Sequence, residues 1–244
     1  MDALLWIILV TVLDGAAALI GVVFFRIGEK KLKSLLFIMV AFSAGTLLSG
    51  AFFHMMVESL GSLEPDTAFG YMIAGFVIFF VIERFLHWHH CHEGSCDVHP
   101  VSQLILIGDG VHNFIDGLVI ASSFMVSIPF GIVTSMVIIG HELPQEIGDY
   151  AVLVYGGFRR GRALVLNFMS QLTAVAGGLI GYFVTTSYSV LLLPFAAGGF
   201  LYISASDLIP ELHKEKETVK ILTAFFGFLL GIAFIVSMKA VLGD

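Results

Sequence analysis

The chain has 244 residues, 58% hydrophobic and 13% charged, with a formal net charge of −7 and a mean hydropathy of +0.97. A soluble domain carries about a quarter charged residues, so half the usual charge is missing and a water-soluble globular fold is excluded. A lipid bilayer is the expected surrounding, nucleic acid is not an expected partner, and the acidic balance matters less than how the charges are sorted along the chain.

Eight apolar runs reach or approach the roughly 20 residues that cross a bilayer core. In chain order they cover roughly 3–25, 34–58, 68–86, 102–124, 130–155, 162–185, 189–209 and 218–241. They predict an all-α polytopic membrane protein with one transmembrane domain over 1–244 and short loops between most spans. The first run starts at Ala3 with no basic residue before it and continues to about Phe25, too long for a signal-peptide core. Its basic flank (Arg26, Lys30, Lys31 and Lys33) follows it, so the N-terminus is expected outside. With eight spans, Arg84, Arg159, Arg160, Arg162, Lys214, Lys216 and Lys220 join that flank on the cytosolic side. Only Lys239 is left near an outward C-terminus, and the outer loops near 59–66, 127–129 and 185–189 carry no Lys or Arg. Shifting the span count by one destroys this sorting, so both termini are expected outside.

The second span ends in His54-Met-Met-Val-Glu58 and the seventh in Asp207-Leu-Ile-Pro-Glu211. In this topology the two ends lie on opposite faces, as an inverted repeat about a central pair requires. His54 and Glu58, four apart, are expected to form an outer funnel that captures cations, and Asp207 and Glu211 an inner exit relay. Between the third and fourth spans, the loop at about 87–100 contains His87, His89, His90, Cys91, His92, Cys96 and His99. It is read as a flexible metal acceptor or sensor. On the cytosolic side its two cysteines are not expected to form a structural disulfide.

The fourth span reads Asp109-Gly-Val-His112-Asn113-Phe-Ile-Asp116-Gly117 and the fifth His141-Glu142-Leu-Pro144-Gln145-Glu146-Ile-Gly-Asp149. An ionisable group at the bilayer centre costs about 2.5–3.5 kcal/mol on insertion scales, so this many imply a shared ligand or a polar path. Residues 109, 112, 113 and 116 share one helical face by their i, i+3, i+4, i+7 spacing, and His141 and Gln145 stack at i, i+4. A short turn containing Pro129 makes the two spans antiparallel neighbours. His112 and His141 lie about a dozen residues to either side of it, at 1.5 Å per residue, so the two clusters face each other near mid-bilayer. Imidazole and carboxylate suit zinc, ferrous iron or manganese. Neutral oxygens from Asn113 and Gln145 lower the site's charge and help the ion to leave. Pro144 cannot donate to Gly140, which frees a carbonyl and bends the helix. Asn167 and Gln171 on the sixth span reach toward the pair or serve as packing glue; Asp14 on the first is read either as a pathway group or, in preference, as making a hydrogen bond within the bundle.

At these residues the chain resembles the Zrt/Irt-like (ZIP) family of divalent metal transporters, in the subfamily whose fourth and fifth spans read HNxxDG and HExPHExGD. The first motif matches in full, and in the second Gln145 stands where the subfamily has histidine. The resemblance implies an eight-helix, three-plus-two-plus-three fold, a homodimer, and movement of a divalent metal into the cytosol. Zinc is the first expectation, then iron, manganese or cadmium. It also implies one site from His112, Asp116, His141 and Gln145, and an adjacent one from Asn113, Asp116, Glu142 and Gln145, with Glu146 and Asp109 as further pathway groups. No catalytic cofactor is expected. Compact loops and the lack of organelle signals point to a prokaryotic plasma membrane. The rival readings are an intramembrane zinc hydrolase, through the likeness of His141-Glu142-x-x-Gln145 to H-E-x-x-H, and a metal sensor that binds without translocating. Gln145 removes the second ligand that the hydrolase needs.

Overall fold

A computed structural model describes residues 3–16, 19, 29–88, 98–155, 158–184 and 189–242. Among the described residues all regular structure is helical and there is no strand. The helices are α1 (Ala3–Gly15), α2 (Glu29–Ser49), α3 (Val57–Ser62), α4 (Pro65–Trp88), α5 (Val98–Val126), α6 (Ile128–Tyr155), α7 (Arg160–Gln171), α8 (Thr173–Val184), α9 (Ser189–Tyr202), α10 (Ile209–His213) and α11 (Thr218–Leu242). Two π-helical segments interrupt the rods: π1 (Gly50–Met56) joins α2 to α3, and π2 (Ile203–Leu208) joins α9 to α10. Such insertions are frequent at functional sites.

Among the described residues, five rods are long and apolar enough to cross a membrane: Phe37–Ser62, Pro65–Arg84, Arg160–Val184, Val190–His213 and Thr218–Val241. This is an integral membrane protein. Its surface is apolar where a soluble protein's is polar: Phe226 is 67% and Phe183 73% exposed, while Asp14, His54, Asn113, Glu142 and Glu146 are fully buried. Lipid accepts the first kind of side chain and rejects the second.

The helices α5 and α6, of 29 and 28 residues, form an antiparallel hairpin. Only Ser127 separates them; its hydroxyl accepts from the Phe130 amide at 3.1 Å, as a capping serine does at a helix start. The hairpin is held on one side by α8, where backbones touch: a Cβ on Gly117 would run into the Ala174 carbonyl, and one on Gly177 into that of Phe114. On the other side Ser43 of α2 donates to the Gly140 carbonyl at 2.7 Å. That carbonyl is the one Pro144 cannot serve. Ser43 also lies 2.8 Å from Met39 O, so one hydroxyl proton is shared between two acceptors.

Candidate metal centre

The helical repeat brings His112 and Asp116 of α5 onto the face that meets His141 and Glu142 of α6. The two imidazole Nε2 atoms are 3.1 Å apart. His112 Nε2 lies 3.7 Å from Asp116 Oδ2 and 3.3 Å from Glu142 Oε1. His141 Nε2 lies 3.2 Å and 3.3 Å from the same two oxygens. Ligands about 2.0 Å from a tetrahedral zinc stand about 3.3 Å from one another, so these five separations match the edges of its coordination shell.

The protons are arranged for the same purpose. His141 Nδ1 lies 3.2 Å from Val137 O; a ring nitrogen facing a carbonyl carries the hydrogen, which leaves Nε2 of the neutral ring as a lone pair aimed at the centre. Gln171 of α7 donates to Glu142 Oε2, while Glu142 Oε1, Asp116 Oδ2 and Gln171 Oε1 are buried with no hydrogen-bond donor. Buried acceptors without donors are rare, and a cation completes them. Rings from outside the hairpin wall the centre: Phe79 of α4 meets His112 edge-on at 6.3 Å and Phe200 of α9 meets His141 at 5.6 Å between centroids.

An all-oxygen cluster adjoins the first. Ligand atoms of Asp109, Glu142 and Glu146 lie within 4.8 Å of one another, so Glu142 belongs to both groups. Asn113 donates to Asp109 Oδ1 at 2.8 Å and to its backbone carbonyl at 3.0 Å. Asn167 donates to the Glu146 carboxylate and, at 3.1 Å, to its backbone carbonyl. Asp109 Oδ2, Asn113 Oδ1, Glu146 Oε1 and Asn167 Oδ1 are further buried acceptors without donors.

The grouping differs in detail from the one the motif implied. Gln145 is not among the four converging ligands; its amide donates to Asp109 Oδ1 at 3.3 Å, and Glu142 takes the place beside His112. His54, Glu58 and Glu211 belong to neither cluster. His54, expected in a solvent-facing funnel, is fully buried in π1. Its Nε2 lies 2.8 Å from Thr134 Oγ1 and 3.2 Å from Phe130 O, and its ring stacks on Phe130 at 3.9 Å. Glu58 is half-buried at the end of that rod. Glu211 is exposed and pairs with Lys214. The side chain of Asp207 and residues 89–97 of the His/Cys-rich tract lie outside what the structure describes.

Asp14, expected to be hydrogen-bonded, has no partner for either oxygen. Phe79 and Phe200 carried no signal, since an apolar residue in an apolar run predicts only packing. Gln171 and Asn167 had one, as amides inside a span, but which carboxylate each would meet depends on how α7 packs.

The ZIP zinc transporter family model matches residues 89–239. Zinc transporter ZIP13 of Pongo abelii is 32% identical over 231 residues, covering 86% of this chain and 67% of its own length. Zinc transporter YKE4 of Saccharomyces cerevisiae is 29% identical over 232 residues, covering 81% and 67%. Zinc transporter ZIP10 of Homo sapiens is 36% identical over 147 residues, and the match spans 53% of this chain but only 18% of that protein.

Proposed function

The chain belongs to the ZIP zinc transporter family, whose members are transporters and not enzymes, and we propose that it carries zinc into the cytosol through the His112, Asp116, His141 and Glu142 centre. The observation that carries this reading is the set of ligand separations between α5 and α6, 3.1–3.7 Å, which suits a tetrahedral divalent ion. Iron, manganese and cadmium are the competing cargoes that the same donors admit. Asn113 and Gln145 act from the adjoining oxygen cluster with Asp109 and Glu146, where the ion is held by harder donors once it leaves the imidazoles.

The eight-span, three-plus-two-plus-three arrangement with both termini outside belongs to this proposal. The five long apolar rods, with α1, α5 and α6 added, supply eight. The inverted repeat is supported by matched interruptions, π1 in the second span and π2 in the seventh, each followed by a short helix. It is also supported by matched packing. Gly45 abuts the Phe228 carbonyl and Gly231 that of Phe42; in the symmetry-related pair Gly198 abuts Met72 and Gly75 abuts Phe195 in the same way. Second and eighth spans thus pair as seventh and third do.

Alternating access follows from that division. Metal enters between the outer ends of the second and fifth spans, a joint that His54 closes against Phe130 and Thr134 in this conformation. It leaves when the α5–α6 hairpin moves against the repeats. A homodimer is part of the same reading, as is a prokaryotic plasma membrane, supported by the compact loops; the named relatives come from eukaryotes and bear on the family rather than the compartment.

The test is metal flux into proteoliposomes containing the purified chain, zinc in competition with iron, manganese and cadmium. Zinc uptake that is lost in His112→Ala and His141→Ala supports the proposal. Tight zinc binding with no flux would leave a sensor in its place.

A further inference from the structure

Asp14 is a buried carboxylate that the transport centre does not use. It lies in α1, eleven residues after Ala3, about 17 Å along the helix at 1.5 Å per residue. The residue is 0% exposed, and neither of its oxygens has a hydrogen-bond donor. The hydroxyl one turn before it, on Thr11, is committed to the carbonyls of Ile7 and Ile8 at 2.8 and 3.3 Å. The helix is pressed against α8 where Ile7 and Thr11 meet Gly178, and it also touches α5 and α6. A Cβ on Gly178 would stand 3.0 Å from Thr11 Cγ2 and 3.8 Å from the Gly117 carbonyl oxygen, so this part of α1 borders the turn of α5 that carries Asp116. The facing helix α8 carries no ionisable side chain except Tyr182.

A carboxylate without a donor is costly in lipid, and carboxylates retained inside a membrane mark ion pathways. The four-ligand centre already fills the coordination of a tetrahedral ion, so Asp14 has no place in that shell. Resting on the transport reading above, we propose that Asp14 is a further cation-binding position of the path, an α1 carboxylate that holds the divalent ion in passing to or from the His112/His141 centre. It binds through its two oxygens, with the ion keeping part of its water, and so serves the rate of passage rather than resting affinity.

The experiment compares wild type, Asp14→Asn and Asp14→Glu in zinc-loaded proteoliposome uptake, with equilibrium zinc binding and thermal melting of the purified proteins. Expected is a fall of about tenfold or more in maximal uptake for Asp14→Asn, zinc affinity and melting within about twofold and a few degrees of wild type, and partial recovery in Asp14→Glu. Asp14→Asn transporting at the wild-type rate would overturn the proposal while leaving the transport reading intact. Equal loss in both variants with lowered melting would overturn it in favour of a packing role. Wild-type vesicles without zinc uptake would overturn the transport reading and Asp14 with it.

Discussion

Replacing Gln171 by leucine tests whether the sixth span tunes the metal through Glu142. The side chain is fully buried and its amide donates to Glu142 Oε2, leaving Oε1 directed at the two imidazoles. Leucine has nearly the same volume, so packing is kept and cavity terms are small. The loss is one hydrogen bond to an ionised group, about 1.5–3 kcal/mol. At about 1.4 kcal/mol per factor of ten this weakens zinc binding between about tenfold and a hundredfold, the range expected for an outer-shell partner of a metal site. Competition with a fluorescent chelator, using purified protein, measures it. In a Glu142→Gln background the same change should cost less, because the hydrogen bond is then to a neutral acceptor. A folded Gln171→Leu protein that binds zinc within about twofold of wild type, or an undiminished loss from the same change in the Glu142→Gln background, would refute the reasoning.

Gln145→His adds an imidazole next to Asp109, Glu142 and Glu146 and should raise zinc affinity; equilibrium binding with no increase counts against the oxygen cluster as a metal position. Gly117→Ala drives a Cβ into the Ala174 carbonyl, backbone that cannot step aside, and overpacking of this kind costs about 1–3 kcal/mol; a lower melting temperature and reduced yield in membranes are expected. Metal must displace protons from imidazole, so zinc affinity should fall as pH drops through the histidine range. A binding constant that stays flat from neutral pH to about pH 5 would mean that the histidines are not ligands.

How much was legible followed from cost. A charge in an apolar span is conspicuous, and helical periodicity places residues 109, 112, 113 and 116 on one face without any coordinates. The short turn around Pro129 made α5 and α6 neighbours of matched depth, so the meeting of His112 with His141 could be read from spacing. The lone carbonyl left by Pro144 could be read as well, because proline lacks a donor wherever it is placed. Its partner Ser43 could not, since it lies 97 residues from Gly140 in sequence.

The amino-acid sequence by itself determined the membrane setting, the helical class, the family and the pool of candidate ligands, because these rest on hydrophobic run length and on residue chemistry that no packing can change. Tertiary structure alone decided that Glu142 serves two clusters, that Gln145 turns toward Asp109, that His54 is sealed behind Phe130, and that Asp14 is buried without a partner. Each of these depends on a side-chain rotamer or on the approach of a helix distant in sequence. Both are fixed by close packing across helices, where glycines let backbones touch, and not by the local order of residues.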